Sequence, residues 1–136
     1  MVCIYCGGDT DVVNSRQQKR ANQVWRRRKC RSCGAVFTTT EQARYEAAWR
    51  VTSPSGGLVP FNRDKLLLSL HKSLEHRSSS LGDAAALTDT VIAKLRGQSH
   101  NGIIEAAIIA QTAFAALERF DKPAAVSYRA FHPLER

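Results

Sequence analysis

Hydrophobic and polar positions divide the chain into an extended first third and a helical remainder. Asp11–Arg16 and Gln23–Lys29 read as two strands joined by a polar turn over 17–22, and Ala35–Thr40 reads as a third, because β-branched and aromatic residues favour pleated surfaces. From Ala43 to Ala48 the pattern becomes helix-compatible, and Trp49–Thr52 is again strand-like. Ser53-Pro54-Ser55-Gly56-Gly57 marks a turn before the extended Leu58–Phe61, so a β-hairpin is expected.

Helical spacing follows. Asn62 is placed to cap a helix running from Arg63 to about Arg77, with Leu66, Leu70 and Leu74 on one face and Leu67 beside them. Ser80-x-x-Asp83 resembles a capping box ahead of a second helix, whose buried stripe is Leu87, Val91 and Leu95 and whose stop is Gly97. A third helix is expected from about Ile103 to Phe120, apolar on nearly every side, which suits a central position or a subunit interface. Pro123 opens a fourth, carrying Val126, Tyr128 and Phe131. The fold class expected is α+β: a small three-stranded ribbon over residues 1–46, then a mostly helical domain opened by a β-hairpin over 47–136.

So little apolar material in the first 46 residues cannot hold a fold alone, and the cysteines supply the missing constraint. All four lie there, as Cys3-x-x-Cys6 and Cys30-x-x-Cys33 separated by 23 residues. A two-residue gap lets both thiolates of a pair reach one ion from a tight turn, and two such turns close a tetrahedron with no open position. Glycines follow each pair, Gly7-Gly8 and Gly34, where such turns need positive φ. One structural zinc ion per chain is the reading, against two disulfides or a redox dithiol.

Charge adds a partner. The formal net charge of +8 is unevenly spread, +5 over residues 1–46 and +3 over the rest. Arg26-Arg27-Arg28-Lys29 concentrates it on one strand, where alternation puts Arg26 and Arg28 on one face and Trp25, Arg27 and Lys29 on the other. One set is available to phosphates, with Arg16 and Lys19-Arg20 as neighbours; guanidinium forks suit phosphates and guanine edges. Trp25 is expected in the ribbon core. His71, His76, His100 and His132 are scattered, and there is no Walker loop, nucleophile elbow or dinucleotide turn, so no enzyme is indicated. No apolar run approaches the ~20 residues that span a bilayer, and the Met1–Cys6 start leaves no room for a signal peptide, so a cytoplasmic protein is expected.

The chain resembles the NrdR family, bacterial transcriptional repressors of ribonucleotide reductase genes that join a zinc ribbon to an ATP-cone. The likeness runs through Cys3-Ile4-Tyr5-Cys6-Gly7, Asn14-Ser15-Arg16, Val24–Gly34 and Phe37-Thr38-Thr39. It resumes at Pro60–Leu66, similar to the cone's Pro-Phe-Asp-Arg-Glu-Lys-Leu, and more loosely at Ala124–Tyr128. The resemblance implies a DNA-binding repressor, homo-oligomeric and controlled by ATP or dATP. Where the family's cone carries Lys-Arg-Asp-Gly, this chain has Ser53-Pro54-Ser55-Gly56; Gly56 and Lys65 remain, with Arg50 on the preceding strand as a substitute cation. The alternative is a ribbon that binds RNA or protein, with a degenerate cone used only for oligomerisation.

Overall fold

A computed structural model describes residues 1–133 and resolves two compact units, Met1–Ala43 and Arg44–Arg136. The first unit is a three-stranded antiparallel sheet in the order β1 (Thr10–Gln18), β2 (Gln23–Cys30), β3 (Val36–Gln42). Its register pairs Arg16 with Trp25 and Trp25 with Thr40, while a bulge at Val13 lets Asp11 and Asn14 oppose the alternate residues Lys29 and Arg27. Its buried core is Cys3, Cys30 and Phe37, with Ala35 packed against them.

The second unit begins with the one-turn helix α1 (Tyr45–Ala48) and a sheet in the order β5-β4-β6, where β4 is Arg50–Thr52, β5 Leu58–Pro60 and β6 Ile103–Glu105. Helices α2 (Arg63–Ser73), α3 (Ser80–Leu95), α4 (Ala106–Phe120) and α5 (Lys122–Phe131) supply most of the core. Leu70, Leu74, Val91, Leu95 and Leu117 are fully buried, each worth roughly 1.5–3 kcal/mol of hydrophobic transfer. Trp49 packs edge-on to Phe61 with ring centroids 5.4 Å apart, joining the sheet to this core. As expected, Asn62 caps α2, its side chain accepting from the Lys65 N–H at 2.9 Å.

Three local expectations are corrected. Ile103 does not start a helix: Asn101 and Gly102 both take positive φ (53° and 76°) in a tight turn, and Ile103–Glu105 then pairs in parallel with β4. Helix α2 stops at Ser73, four residues before Arg77, whose guanidinium bonds Asp83 at 2.8 Å and Asp121 at 3.1 Å. Nor is there a capping box at Ser80. The carboxylate of Asp83 is occupied by Arg77 and by the Ser79 hydroxyl at 2.6 Å. Among the described residues no helix is long and apolar enough to cross a membrane.

Candidate metal centre and nucleic-acid face

The four sulfur atoms of Cys3, Cys6, Cys30 and Cys33 lie within 4.8 Å of one another. Between the knuckles, Cys3 lies 3.7 Å from Cys33 and Cys6 lies 3.5 Å from Cys30, too long for a disulfide in either pair. Thiolates about 2.3 Å from a central zinc stand roughly 3.8 Å apart along a tetrahedron edge, so the cluster fits the ion. Each knuckle closes through one glycine, since Gly7 and Gly34 share φ = 73°. Gly8 has another role: a Cβ there would come within 2.6 Å of the Ser32 hydroxyl and 3.4 Å of Cys6 Sγ, so it lets the knuckles approach.

Backbone N–H groups point at the sulfurs. Tyr5 donates to Cys3, and Ser32 and Cys33 donate to Cys30, each at 3.4 Å. The Cys33 N–H, chiefly, lowers the Cys30 thiol to about 6. At Cys33 the N–H of Ala35 pulls downward, but the sulfurs of Cys6, Cys30 and Cys3 together with burial push the thiol up to about 12. Four thiols this close cannot all become anions without a cation among them, which is the electrostatic signature of a divalent-metal cradle.

Strand β2 leaves this cluster through Cys30 and carries the cations. Arg26 donates to Ser15 at 3.0 Å and pairs with Glu41 at 3.1 Å, and Arg28 donates to Thr39 at 3.1 Å. These two guanidiniums are engaged within the sheet. Arg27 and Lys29, on the opposite face, are exposed and form no side-chain ion pair among the described residues. Register places Arg16 on the same face, across from Trp25. Trp25 itself is half-buried there and outside the Cys3–Cys30–Phe37 core, contrary to expectation. Asp11, opposite Lys29, is neutralised by Arg31, whose Nε donates to it at 2.8 Å and holds the carboxyl below its usual range.

The structure does not gather the three candidate nucleotide contacts. A cleft of about 220 Å³ lies between β4, β5, α2, α4 and α5, lined by apolar groups including Val51, Phe61 and Tyr128, with Lys65 at its edge. A second recess, sharing His132 with the first, is lined by Ser53, Pro54 and Glu105. Neither Arg50 nor Gly56 lines these recesses; Arg50 turns back to donate to the Trp49 carbonyl at 3.2 Å, and Gly56 sits at the hairpin tip with φ = 84°. Lys65 is thus the one permanent cation lining them among the described residues, since burial lowers the His132 pKa. Sequence reasoning missed the Ser69–His132 hydrogen bond of 2.7 Å in this cleft; 63 residues separate the pair and no motif announces it.

The four-thiol cluster on a three-stranded sheet is a zinc-ribbon arrangement, followed along the chain by a mostly helical α+β unit. Residues 1–41 match the family described as "Transcriptional repressor NrdR-like, N-terminal domain". Two relatives are each named "Transcriptional repressor NrdR". The one from Nitrosomonas eutropha is 36% identical over 98 residues, spanning 71% of this chain and 61% of the relative. The one from Symbiobacterium thermophilum is 34% identical over 128 residues, spanning 94% and 84%. This chain belongs to the NrdR family of transcriptional repressors.

Proposed function

We propose that the protein binds one structural zinc ion and represses ribonucleotide reductase genes by gripping duplex DNA with the outer face of its ribbon. The observation that carries this is the register that puts Arg16, Arg27 and Lys29 on one exposed face while Arg26 and Arg28 are held inside the sheet. Phosphates are the natural partners of such a face, and Arg16, nearer the hairpin tip, is the residue to reach a base edge. Duplex DNA from upstream of ribonucleotide reductase genes should outcompete both scrambled duplex and an RNA stem-loop. Equal competition by the stem-loop would favour an RNA-binding ribbon, because the deep groove of duplex RNA hides its base edges.

The helical unit acts in this reading as an ATP-cone that controls assembly of a homo-oligomer. Lys65 is its phosphate contact, with Gly56 at the hairpin tip and Arg50 on the neighbouring strand. One observation favours a second reading, in which the unit is an assembly block that no longer senses ATP or dATP: Ser53, Pro54 and Glu105 line the recess and bring no cation to it. Calorimetry with both nucleotides, alongside the oligomeric state in their presence and absence, separates the two.

A further inference from the structure

A row of amides crosses the end of the ribbon remote from the cysteines. Gln18, Gln23 and Gln42 stand side by side in register across the three strands, one step beyond Arg16, Trp25 and Thr40 on the same face. Gln18 and Gln42 are exposed and Gln23 half-buried, and the ribbon's buried core lies at the cysteine end. These amides lie outside that core. Gln23 Nε2 donates to Gln18 Oε1, which joins the two across the strands.

That bond determines what remains to be offered. Each amide has a carbonyl oxygen with two lone pairs and an NH₂ with two hydrogens, so a pair joined by a single bond keeps one NH₂ wholly free on one partner and one carbonyl wholly free on the other, the two bonded atoms each retaining a single further valence. Exchanging oxygen and nitrogen in both side chains leaves the same complement. Here it is Gln18 Nε2 as donor and Gln23 Oε1 as acceptor. In the major groove adenine offers the converse, an N7 acceptor beside an N6 donor, whereas guanine presents N7 and O6, two acceptors, one of which would face the Gln23 oxygen. A two-stranded β-ribbon fits that groove. Exposed Lys19 in the connecting turn lies beside the amides, and the nearby acid, Glu41, is on the opposite face and paired with Arg26.

We propose that the paired amides of Gln18 and Gln23 read an A·T base pair in the major groove, making them specificity-determining residues of the ribbon. The inference rests on the duplex-binding reading above and adds to it a base preference. The test uses the zinc-loaded full chain and sites selected from a randomised duplex pool. The parent should enrich A·T at one position near each bound ribbon, binding it about 5- to 150-fold better than G·C there. In Gln18→Ala/Gln23→Ala that preference should vanish while the salt dependence of binding stays unchanged; Gln17→Ala, on the other face, should keep the preference. Replacing the adenine by 7-deazaadenine, which removes the N7 acceptor, should weaken the parent and leave the double variant indifferent. A double variant that retains both the preference and the 7-deaza effect overturns the proposal and leaves duplex binding standing. A parent with no salt-dependent duplex binding overturns both.

Discussion

Alternation along β2 makes a sharp claim about four neighbouring cations. If Arg27 and Lys29 each neutralise a phosphate, removing both should lower the slope of log affinity against log salt by ~1.8, at ~0.9 per contact. Over the fourfold rise from about 50 to 200 mM salt, the advantage of the parent over Arg27→Ala/Lys29→Ala should shrink by roughly twelvefold. Arg26→Ala/Arg28→Ala removes the same formal charge but from side chains committed to Ser15, Glu41 and Thr39. It should leave the slope nearly unchanged and instead lower the ribbon's melting temperature. Arg16→Ala should cost about 1–3 kcal/mol on the preferred duplex and much less on random duplex. Fluorescence anisotropy over a salt series measures all three, with zinc content as the control for folding. Equal slope changes in the two double variants, or none in either, would refute the assignment of the outer face to DNA.

Elemental analysis should find one zinc per chain, and chelation should unfold the ribbon while leaving most of the far-UV helical signal; loss of both together would mean the second unit depends on the metal. ATP and dATP should bind more weakly than to a relative carrying the Lys-Arg pair, by about 1.5–3 kcal/mol, or roughly ten- to hundredfold, for each missing phosphate contact. Calorimetry showing tight binding that survives Lys65→Ala would contradict this. Acid should destabilise the helical unit. Asp121 is held below the usual carboxylate range by the Ala124 N–H, with His76 and Arg77 adding to it, and Asp83 by the Ser79 hydroxyl and then Arg77. Both contribute stability that is present above the ordinary carboxylate pKa of about 3.9 and lost as pH falls through the lower folded values. Asp121→Asn keeps a helix cap but not the charge, so its urea midpoint should drop less between neutral pH and pH ~3 than the parent's; identical drops would exclude the network as a cause.

How much of this was legible in the chain depends on how local each signal is. The knuckles, the three ribbon strands and the Asn62 cap rest on residues within a few positions of one another, and they are found where expected. Strand β6 rests on pairing with β4, about fifty residues earlier, and its three residues Ile103-Ile104-Glu105 fit a helix as well as a strand. One local clue was available, the Asn101-Gly102 dipeptide, whose two positive φ angles make a tight turn and bar a helix from passing through. The end of α2 escaped notice because it depends on where Arg77 finds its carboxylates, one of them 44 residues away. Likewise the cleft around Lys65 is assembled from five elements, so spacing could name Lys65 and Gly56 but could not tell that only the former lines it.

The choice between the two faces of β2 looked undetermined, because cations occupy both. It follows, however, from the metal site. Cys30 must turn its sulfur toward the other three thiols, and residues two and four positions earlier share its side of the strand. Arg28 and Arg26 are therefore directed to the side where Phe37, in register with Arg28, is buried beside Cys3 and Cys30. That core is too small to extend beneath them, and they find Thr39, Ser15 and Glu41 instead. Arg27 and Lys29 have the opposite parity and face outward for the same reason. The side to which Cys30 turns thus sets which cations face outward: shifting the strand by one residue exchanges its two faces. Inserting a single residue between Lys29 and Cys30 should accordingly pass the salt dependence from the Arg27/Lys29 pair to the Arg26/Arg28 pair, with zinc still bound.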